Sequence, residues 1–384
     1  MDTQPICCIY CGSDRLKENA AYVGLNRIAS DCKPWPPGGR FAICQECGYP
    51  QTMVTPAWHE DIRNIYKNYS VYFQSRGLEQ SVYDADTGEP ILRSDHLLRQ
   101  LMGTVRLPAK GRLLDIGCAN GNFLRAFAKA IPGWSLSGVE WDDKYQAEVE
   151  AVPGFEKLYT GGLDGIPGGY DVISLLHCFE HIPDPGPMLR SIKGLLAPGG
   201  YLFIDVPDCS TNPFVLVVAD HSSHYSVESL RDLVACEGFE ILCATTGWLA
   251  KEVSVLARKS GEEPEKLRLD PAYGEQLERH IDWLSVVTKH ARSFAENGGV
   301  AIFGTSIAAT WLWAELKGNV KFFVDEDPNR IGLQHYGLPI FSPQDAPKGV
   351  PIYLALPPAV AHQVKPRLSP VLRSLVAPPE LEEI

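Results

Sequence analysis

Residues 113–122 read Leu-Leu-Asp-Ile-Gly-Cys-Ala-Asn-Gly-Asn, and this stretch decides the fold of the chain. The apolar run that ends at Ile116 predicts a buried strand, and the residues after Asn122 begin a helical pattern. Glycine lets a backbone approach a ligand closely, because it has no Cβ atom. The stretch therefore predicts a strand, a ligand-binding turn and a helix, which together open a nucleotide-type site at the carboxyl end of a parallel strand.

The glycine spacing narrows the kind of nucleotide site. The pattern Asp-x-Gly-x-x-x-Gly at residues 115–121 is neither the dinucleotide fingerprint, which needs three glycines, nor a P-loop, which ends in Gly-Lys-Ser/Thr. Glu140 ends the next predicted strand about 20 residues beyond the glycines, where an acid can accept both ribose hydroxyls. Further elements follow in order: a strand at 171–176, His-Cys-Phe-Glu-His at 177–181, a helix at 187–196, a Pro-Gly-Gly turn at 198–200 and a strand at 201–207.

Length and charge limit the protein class. A chain of 384 residues predicts two or three domains. The net charge of −12 argues against a general nucleic-acid binder, which needs a basic surface. No apolar run approaches the ~20 residues of a membrane span, and no signal peptide is visible. We therefore expect a soluble cytoplasmic protein whose 11 cysteines are reduced thiols or metal ligands.

Two cysteine pairs near the amino terminus predict a metal site. Each has the spacing Cys-x-x-Cys-Gly, at Cys8 and Cys11 and again at Cys44 and Cys47. Four thiolates suit tetrahedral zinc, and a site without an open ligand position is structural. A redox role would need one such pair beside a βαβ pattern, and neither pair has one. Cys7 and Cys32 remain as spare thiols.

The rear third repeats the strand–turn–helix plan after a polar linker at 259–266. A long helix is predicted from Tyr273 to Asn297, then a strand and turn at 300–310, with strands at 320–327 and 350–356. Its turn has one glycine, Gly304, where dinucleotide binding needs three. Structural or substrate-side use is therefore favoured over a second cofactor site.

The motifs at residues 113–207 resemble class I S-adenosylmethionine (SAM) methyltransferases. The order of zinc knuckles, SAM domain and Rossmann-like tail resembles the three-domain C-methyltransferases of deoxysugar biosynthesis. This implies an α/β fold with a zinc-binding domain at 1–65, a doubly wound Rossmann-like methyltransferase domain at 66–258 and a Rossmann-like domain at 259–384. The SAM contacts implied by the resemblance are Asp115, Gly117, Cys118, Ala119, Asn120, Gly121, Glu140, Trp141, Leu163, Asp164 and His177.

The same resemblance implies a nucleotide-linked 4-keto sugar as substrate, methylated at carbon 3. Carbon methylation needs a base that removes a proton alpha to a ketone, and stabilisation of the enolate oxygen. His221 matches the family histidine and Asp220 the glutamate before it, whereas Val218 stands where the family has tyrosine. The predicted catalytic residues are His221, Asp220, His224, Tyr225, Glu180 and His181.

Two other functions stay open. An O- or N-methyltransferase acting on a sugar or glycan precursor would need the same positioned base. A non-catalytic SAM-binding scaffold is disfavoured by the intact Asp115, Gly117, Gly121 and Glu140. The sequence does not identify the sugar, its nucleotide or the oligomeric state.

Overall fold

The structure is a computed structural model that describes residues 6–71, 73–79, 81–83, 90–260, 272–296 and 298–381. The chain divides into two compact units, each assembled from separate stretches. Unit 1 comprises residues 1–15, 79–208 and 222–270, and unit 2 comprises residues 16–78, 209–221 and 271–384. Residues 261–266 of the predicted linker and Asn297, the predicted end of the rear helix, lie outside the described residues.

The front of unit 2 is a small antiparallel segment followed by a helix. Strands β1, β4 and β5 pair in that order, and β2 pairs with β3. The helix begins after Thr55, whose hydroxyl accepts a hydrogen bond from the backbone N–H of Trp58 at 3.1 Å, as an N-cap does. The elements are β1 (Leu16–Glu18), β2 (Arg27–Ile28), β3 (Pro34–Trp35), β4 (Phe41–Cys44), β5 (Pro50–Thr52) and α1 (Pro56–Lys67).

Unit 1 is built on a seven-stranded sheet of order β10-β9-β8-β11-β12-β14-β13. The first five strands are parallel, and β14 runs antiparallel to both of its neighbours. This confirms the predicted α/β methyltransferase fold. The elements are β6 (Ser81–Tyr83), β7 (Pro90–Leu92), α2 (Arg93–Thr104), β8 (Arg112–Ile116), α3 (Asn122–Ala130), β9 (Ser135–Glu140), α4 (Gln146–Glu150), β10 (Phe155–Thr160), β11 (Tyr170–Leu176), α5 (Pro185–Leu195), β12 (Leu196–Pro207), α6 (Val227–Cys236), β13 (Phe239–Thr245) and β14 (Glu252–Lys259).

Burial on both faces explains why β8 is a central strand. Leu113 and Leu114 point to opposite faces and are both fully buried, as expected for a parallel strand covered by helices. On one face Phe127 of α3 packs against Trp134, with ring centroids 5.0 Å apart. The chain continues from β8 to β9 on one side and reaches β11 on the other, so the strand order reverses at β8. Such a reversal leaves a crevice at the carboxyl ends of the strands, where ligands bind in this fold class.

The rear of unit 2 contains a six-stranded sheet of order β17-β18-β16-β15-β19-β20. Its pairs are parallel except for the β17–β18 hairpin. This agrees with the predicted Rossmann-like plan of strand, turn, helix and acid-tipped second strand. The elements are α7 (Ala272–Ala295), β15 (Val300–Phe303), α8 (Ile307–Leu316), β16 (Val320–Val324), β17 (Gln334–His335), β18 (Leu338–Phe341), β19 (Ile352–Leu354), α9 (Pro358–Leu368) and β20 (Leu375–Val376).

The front segment packs on the rear sheet and helices within unit 2. A Cβ added to Gly274 of α7 would lie 2.4 Å from Cγ2 of Ile43, so only glycine fits at this contact. The Tyr336 hydroxyl donates a hydrogen bond to the Cys32 carbonyl at 2.9 Å. The compact units therefore differ from the predicted divisions at residues 65 and 258, because contacts between distant parts of the sequence join residues 16–78 to the rear third.

The described residues form no helix that is both long enough and apolar enough to cross a membrane. The predicted cytoplasmic location stays a prediction.

Candidate active site

The glycine turn of unit 1 follows β8 and has an unusual backbone. Gly117 and Gly121 have φ angles of +74° and +82°, and Ala119 between them has φ +47°. A Cβ on Gly117 would lie 2.7 Å from Cβ and Sγ of Cys178, which follows β11 by two residues. The Cys178 side chain therefore packs directly against the Gly117 backbone, and a side chain at position 117 would clash with it.

Glu140 holds this turn from the end of β9. Its Oε1 accepts a hydrogen bond from the Ala119 N–H at 2.5 Å, and its Oε2 accepts one from the Trp141 N–H at 3.1 Å. Burial raises the pKa of Glu140, although these two N–H groups act in the opposite direction. A carboxylate can accept about four hydrogen bonds, so acceptor capacity remains for ribose hydroxyls. The Trp141 side chain is exposed.

Asp115 lies inside the sheet below the turn. It pairs in register with Ser174 of β11, whose hydroxyl donates to Oδ1 of Asp115 at 2.7 Å. Burial raises the pKa of Asp115 to about 7, against a smaller lowering by the Ser174 hydrogen bond. A cationic ligand beside this carboxyl would favour its ionised form.

Leu163 and Asp164 line a cavity of about 310 Å³ in unit 1. They were predicted as SAM contacts, and that role stays a prediction. The remaining lining residues are Ile182, Pro183, Asp184, Pro187, Met188 and Ser191.

The predicted catalytic segment is divided between the units, with Asp220 and His221 in unit 2. The Asp220 carboxylate accepts two hydrogen bonds from one residue: Oδ1 from the Ser30 N–H at 2.8 Å and Oδ2 from the Ser30 hydroxyl at 2.6 Å. His221 is buried. Asp220 therefore anchors the front segment of unit 2, which the sequence did not indicate.

His224 and Tyr225 belong to unit 1 and are both buried. Burial lowers the pKa of His224 to about 3, so its imidazole is neutral at physiological pH. The Tyr225 ring stacks on Phe179 with a centroid distance of 5.4 Å. These packed positions suit a wall of the site better than a mobile acid or base.

Glu180 and His181 lie in a short 3-10 helix at 179–181, after β11. The Glu180 carbonyl accepts hydrogen bonds from the N–H groups of Ser222 and Ser223, at 3.0 and 3.1 Å. Oε1 of Glu180 lies 3.6 Å from Nδ1 of His177 and 4.0 Å from Nε2 of His181. The structure thus brings three predicted site residues together.

Sequence reasoning missed three charged residues that also surround His177. Arg93 of α2 forms ion pairs with Asp205 of β12 at 2.6 Å and with Glu252 of β14 at 2.8 Å. Nε2 of His177 lies 3.2 Å from Oε1 of Glu252. The available signal was a charged residue inside an otherwise apolar strand, which is rarely buried without a partner.

The two predicted zinc knuckles have the same local backbone. In the first, the Cys8 N–H donates to the Ser13 carbonyl at 2.7 Å and the Gly12 N–H to the Cys8 carbonyl at 2.9 Å. In the second, the Cys44 N–H donates to the Tyr49 carbonyl at 3.0 Å and the Gly48 N–H to the Cys44 carbonyl at 2.9 Å. Gly12 and Gly48 have φ angles of +76° and +71°. The second cysteines of the two knuckles are Cys11 and Cys47.

The turn after β15 in unit 2 is closed by its own side chains. The Thr305 hydroxyl donates to Oδ2 of Asp325 at 2.6 Å. The buried Arg330 lies against this pair, with Nη1 at 3.2 Å from the Thr305 hydroxyl and Nε at 3.2 Å from Oδ2 of Asp327. The acid at the end of β16 is thus satisfied within the protein, and the predicted structural or substrate-side use of this turn stays a prediction.

Similarity to known proteins is concentrated in unit 1. A family model described as a methyltransferase domain matches residues 92–244. The ubiquinone biosynthesis O-methyltransferase of Bordetella avium (strain 197N) is 28% identical over 171 residues, which cover 41% of this chain and 64% of that protein. The protein of the same name from Pseudomonas aeruginosa (strain LESB58) is 27% identical over 127 residues, covering 31% and 53%. The chain therefore spans less than two thirds of the length of these relatives.

Solved structures include similar chains. A SAM-dependent methyltransferase from Clostridium acetobutylicum (ATCC 824) has a TM-score of 0.38 and 14% identity, covering 44% of this chain and 91% of that chain. Human N-acetylserotonin methyltransferase in complex with SAM has a TM-score of 0.36 and 16% identity, covering 42% and 51%.

Proposed function

We propose that this protein, whose residues 92–244 form a class I SAM-dependent methyltransferase domain, transfers a methyl group from SAM to carbon of a nucleotide-linked deoxy or keto sugar. The predicted enzyme class, a SAM-dependent methyltransferase, is supported by the family model, which is described as a methyltransferase domain, and by relatives named as O-methyltransferases. The acceptor and the remaining site assignments are the proposal.

One observation supports SAM binding: Glu140 holds the glycine turn and can still accept hydrogen bonds from ribose hydroxyls. The buried Asp115 suits the cationic methionyl end of SAM, because a positive charge would compensate its burial. The other residues proposed to line the cofactor site are Gly117, Cys118, Ala119, Asn120, Gly121, Trp141, Leu163, Asp164 and His177.

The sugar acceptor rests on the resemblance to three-domain sugar C-methyltransferases. In that reaction a base removes a proton alpha to a ketone, and the resulting carbanion attacks the methyl carbon of the sulfonium and displaces S-adenosylhomocysteine. The protein contributes the position of the acceptor, the exclusion of water and the base. His221 is the base by this resemblance.

Mass spectrometry tests this proposal directly. The full-length protein is incubated with SAM and a panel of nucleotide-linked keto, deoxy and amino sugars, and mass gains of one methyl group are sought. A methyl on carbon survives acid hydrolysis as a branched sugar, whereas a methyl ether or methylamine does not give a branched skeleton. Turnover of a keto sugar with a branched product supports the proposal. SAM binding without turnover of any panel member contradicts it and favours the non-catalytic scaffold.

O-methylation is the second candidate, and the relatives named as O-methyltransferases favour it. A hydroxyl nucleophile also needs a positioned base, so the same residues would serve. N-methylation of an amino sugar is the third outcome that the product analysis separates.

We also propose that Cys8, Cys11, Cys44 and Cys47 bind one structural zinc ion. The two knuckles support this because their turns match. In each knuckle the N–H of the first cysteine and the N–H of the following glycine make the same backbone hydrogen bonds. Zinc bound by four thiolates would stabilise the fold and leave no position for substrate. Metal analysis of protein purified without chelator should find about one zinc per chain. Cys44→Ser should lower thermal stability and zinc content together, while Cys236→Ser, outside the knuckles, should change neither. Full zinc content in Cys44→Ser would contradict the assignment.

A further inference from the structure

The position of His177 is the starting observation. It follows β11 directly, and its N–H donates to the Asp205 carbonyl at 2.8 Å. Its φ is +52°, a left-handed conformation that costs a non-glycine residue roughly 1–2 kcal/mol. The next residue, Cys178, is the one that touches Gly117 of the SAM turn. His177 is therefore held, at a conformational cost, at the carboxyl edge of the sheet beside the cofactor turn.

The two edges of the His177 ring have different surroundings. Nε2 is buried and lies 3.2 Å from Oε1 of Glu252 and 3.9 Å from Oδ2 of Asp205. Nδ1 lies 3.6 Å from Oε1 of the buried Glu180, beyond direct hydrogen-bond distance, and about a third of the side chain, 35%, remains exposed. The Nε2–Oε1 contact is an ion-pair separation without well-directed hydrogen-bond geometry, as is common for catalytic pairs before substrate binds.

Arg93 fixes the carboxylate behind His177. Its Nη2 and Nε lie 2.8 and 3.1 Å from Oε2 of Glu252, which leaves Oε1 facing the histidine. Nη2 also lies 2.6 Å from Oδ2 of Asp205, and the Ser254 hydroxyl donates to Oδ1 of Asp205 at 2.5 Å. The guanidinium supplies a positive charge to both carboxyls, so the group does not need a metal ion to hold it together.

Charge is unequally divided between the two carboxyls. Burial and the neighbouring Glu252 raise the pKa of Asp205 well above its usual range. Burial alone would raise the pKa of Glu252, but Arg93 and then His177 bring it below its usual value. The carboxyl that carries the negative charge at neutral pH is thus the one that faces His177.

We propose that His177, in place of the His221 that the resemblance implies, is the base that deprotonates the methyl acceptor, and that Glu252 is its positioning residue; this rests on the proposed methyl transfer. Nε2–H points to Glu252, and the lone pair of Nδ1 takes the acceptor's proton. The acceptor's O–H or C–H electron pair then forms the new bond to the methyl carbon. The S–CH₃ bond breaks with its electrons on sulfur, which gives S-adenosylhomocysteine, and the imidazolium later releases its proton to water.

The test uses the full-length protein with His177→Gln and Glu252→Gln. The matched control is His362→Gln, because His362 and Glu380 form an exposed histidine–glutamate pair at 2.8 Å. SAM affinity, measured by calorimetry, should stay within about twofold in Glu252→Gln and His362→Gln. It should weaken in His177→Gln, because His177 is also proposed to line the cofactor site. A loss of about tenfold or more in Glu252→Gln would mean that the His177–Glu252 pair serves cofactor binding, and it would overturn the proposal.

The second readout needs no acceptor. In protein with ¹⁵N-labelled histidine, the His177 signals are identified by their loss in His177→Gln. Neutral His177 should carry its proton on Nε2, and Glu252→Gln should abolish that preference while Glu252→Asp retains part of it. A proton on Nδ1, or a tautomer that Glu252→Gln leaves unchanged, would overturn the positioning role.

Turnover completes the test with any panel sugar that reacts. His177→Gln should lower kcat by about 10²–10⁴-fold, the range for loss of a general base. Glu252→Gln should lower it less, with partial rescue in Glu252→Asp. If His221→Ala is inactive and His177→Gln is not, the base is His221 and this inference is wrong. If SAM binds and no sugar reacts, the proposed acceptor class fails, while the tautomer result still decides the His177–Glu252 pair.

Discussion

The turn at Gly117 in unit 1 and the turn at Gly304 in unit 2 share a plan but differ in what occupies them. Each follows a parallel strand, begins a helix and faces an acid at the end of the next strand. In unit 1 that acid, Glu140, accepts only backbone N–H groups among its hydrogen bonds in the described structure. In unit 2 the acid, Asp325, accepts a hydroxyl and is compensated by the buried Arg330. An acid-tipped strand therefore indicates a ligand site only when the protein itself does not neutralise the acid.

The glycines support the same distinction. Gly117 is required by a close approach, since its Cβ would lie 2.7 Å from Cys178. A Cβ on Gly304 would meet nothing nearer than the Cβ of Ala309 at 4.0 Å, so only its φ of +91° favours glycine. The first turn packs against the Cys178 side chain, and the second is an ordinary connection.

Removal of the acid in unit 2 should have the largest effect on stability. Asp325→Ala leaves the buried Arg330 with Asp327 as its remaining acid, and breaking a buried pair typically costs about 3–5 kcal/mol. We expect a lower free energy of unfolding in urea, with SAM affinity unchanged in the folded variant. Weakened SAM binding in folded protein would mean that the second turn takes part in the cofactor site.

Gly117→Ala should abolish most SAM binding. The added Cβ meets Cys178 and the residue must hold φ +74°, so the turn must move. We expect at least a 100-fold loss of affinity by calorimetry, which corresponds to about 2.7 kcal/mol. Gly304→Ala is the matched control, with no change in SAM affinity. Equal losses in the two variants would remove the distinction between the turns.

Glu140→Ala should weaken SAM binding by about 1–3 kcal/mol, the range for losing a charged hydrogen-bond acceptor. This loss of binding free energy has two sources: the contact to the ribose, and the hydrogen bond from the Ala119 N–H that holds the turn. Glu140→Gln keeps one acceptor oxygen and should be milder. Unchanged affinity in Glu140→Ala would contradict the ribose assignment.

Asp115 should give the turn of unit 1 a pH dependence of stability. Its pKa in the folded protein is about 7, above the ordinary value near 3.9 that applies when unfolded. Between these values the unfolded chain has lost a proton that the folded protein keeps, so stability falls as pH rises from about 4 to about 7. A difference of about three pKa units corresponds to about 4 kcal/mol, and we expect Asp115→Asn to remove most of this fall. Because SAM is a cation, bound SAM should also reduce this fall of stability in the wild-type protein. An identical pH profile of stability in the wild type and in Asp115→Asn would contradict the burial argument.

The sequence predicted the cofactor turn because its signals are local. Three signals lie within 30 residues: the apolar strand, the glycine spacing after it and the acid that ends β9. Together they predict a strand, a ligand-binding turn and an acid beside that turn. The order of strands in unit 1 followed from the same family pattern. The rear turn has one glycine where a dinucleotide fingerprint needs three, and its structural or substrate-side use stays a prediction.

The remaining parts could not be predicted because they depend on distant residues. Arg93, Asp205 and Glu252 come from α2, β12 and β14, and only the antiparallel pairing of β12 with β14 brings the two acids together. Likewise, Asp220 is a predicted catalytic residue. Its carboxylate accepts two hydrogen bonds from Ser30, which lies 190 residues away in the sequence. No local pattern encodes either contact.

Unit 2 is assembled from distant segments of the chain, and this has a consequence for its synthesis on the ribosome. Lys17 pairs with Glu278, and Cys32 with Tyr336, across 261 and 304 residues of sequence. At a translation speed of roughly 5–20 residues per second, the front segment leaves the ribosome roughly 13–60 s before the helix and sheet that cover it. During that interval its apolar face has no native partner. We therefore expect early zinc loading and chaperone binding to protect the nascent front segment until the carboxyl-terminal third has been made.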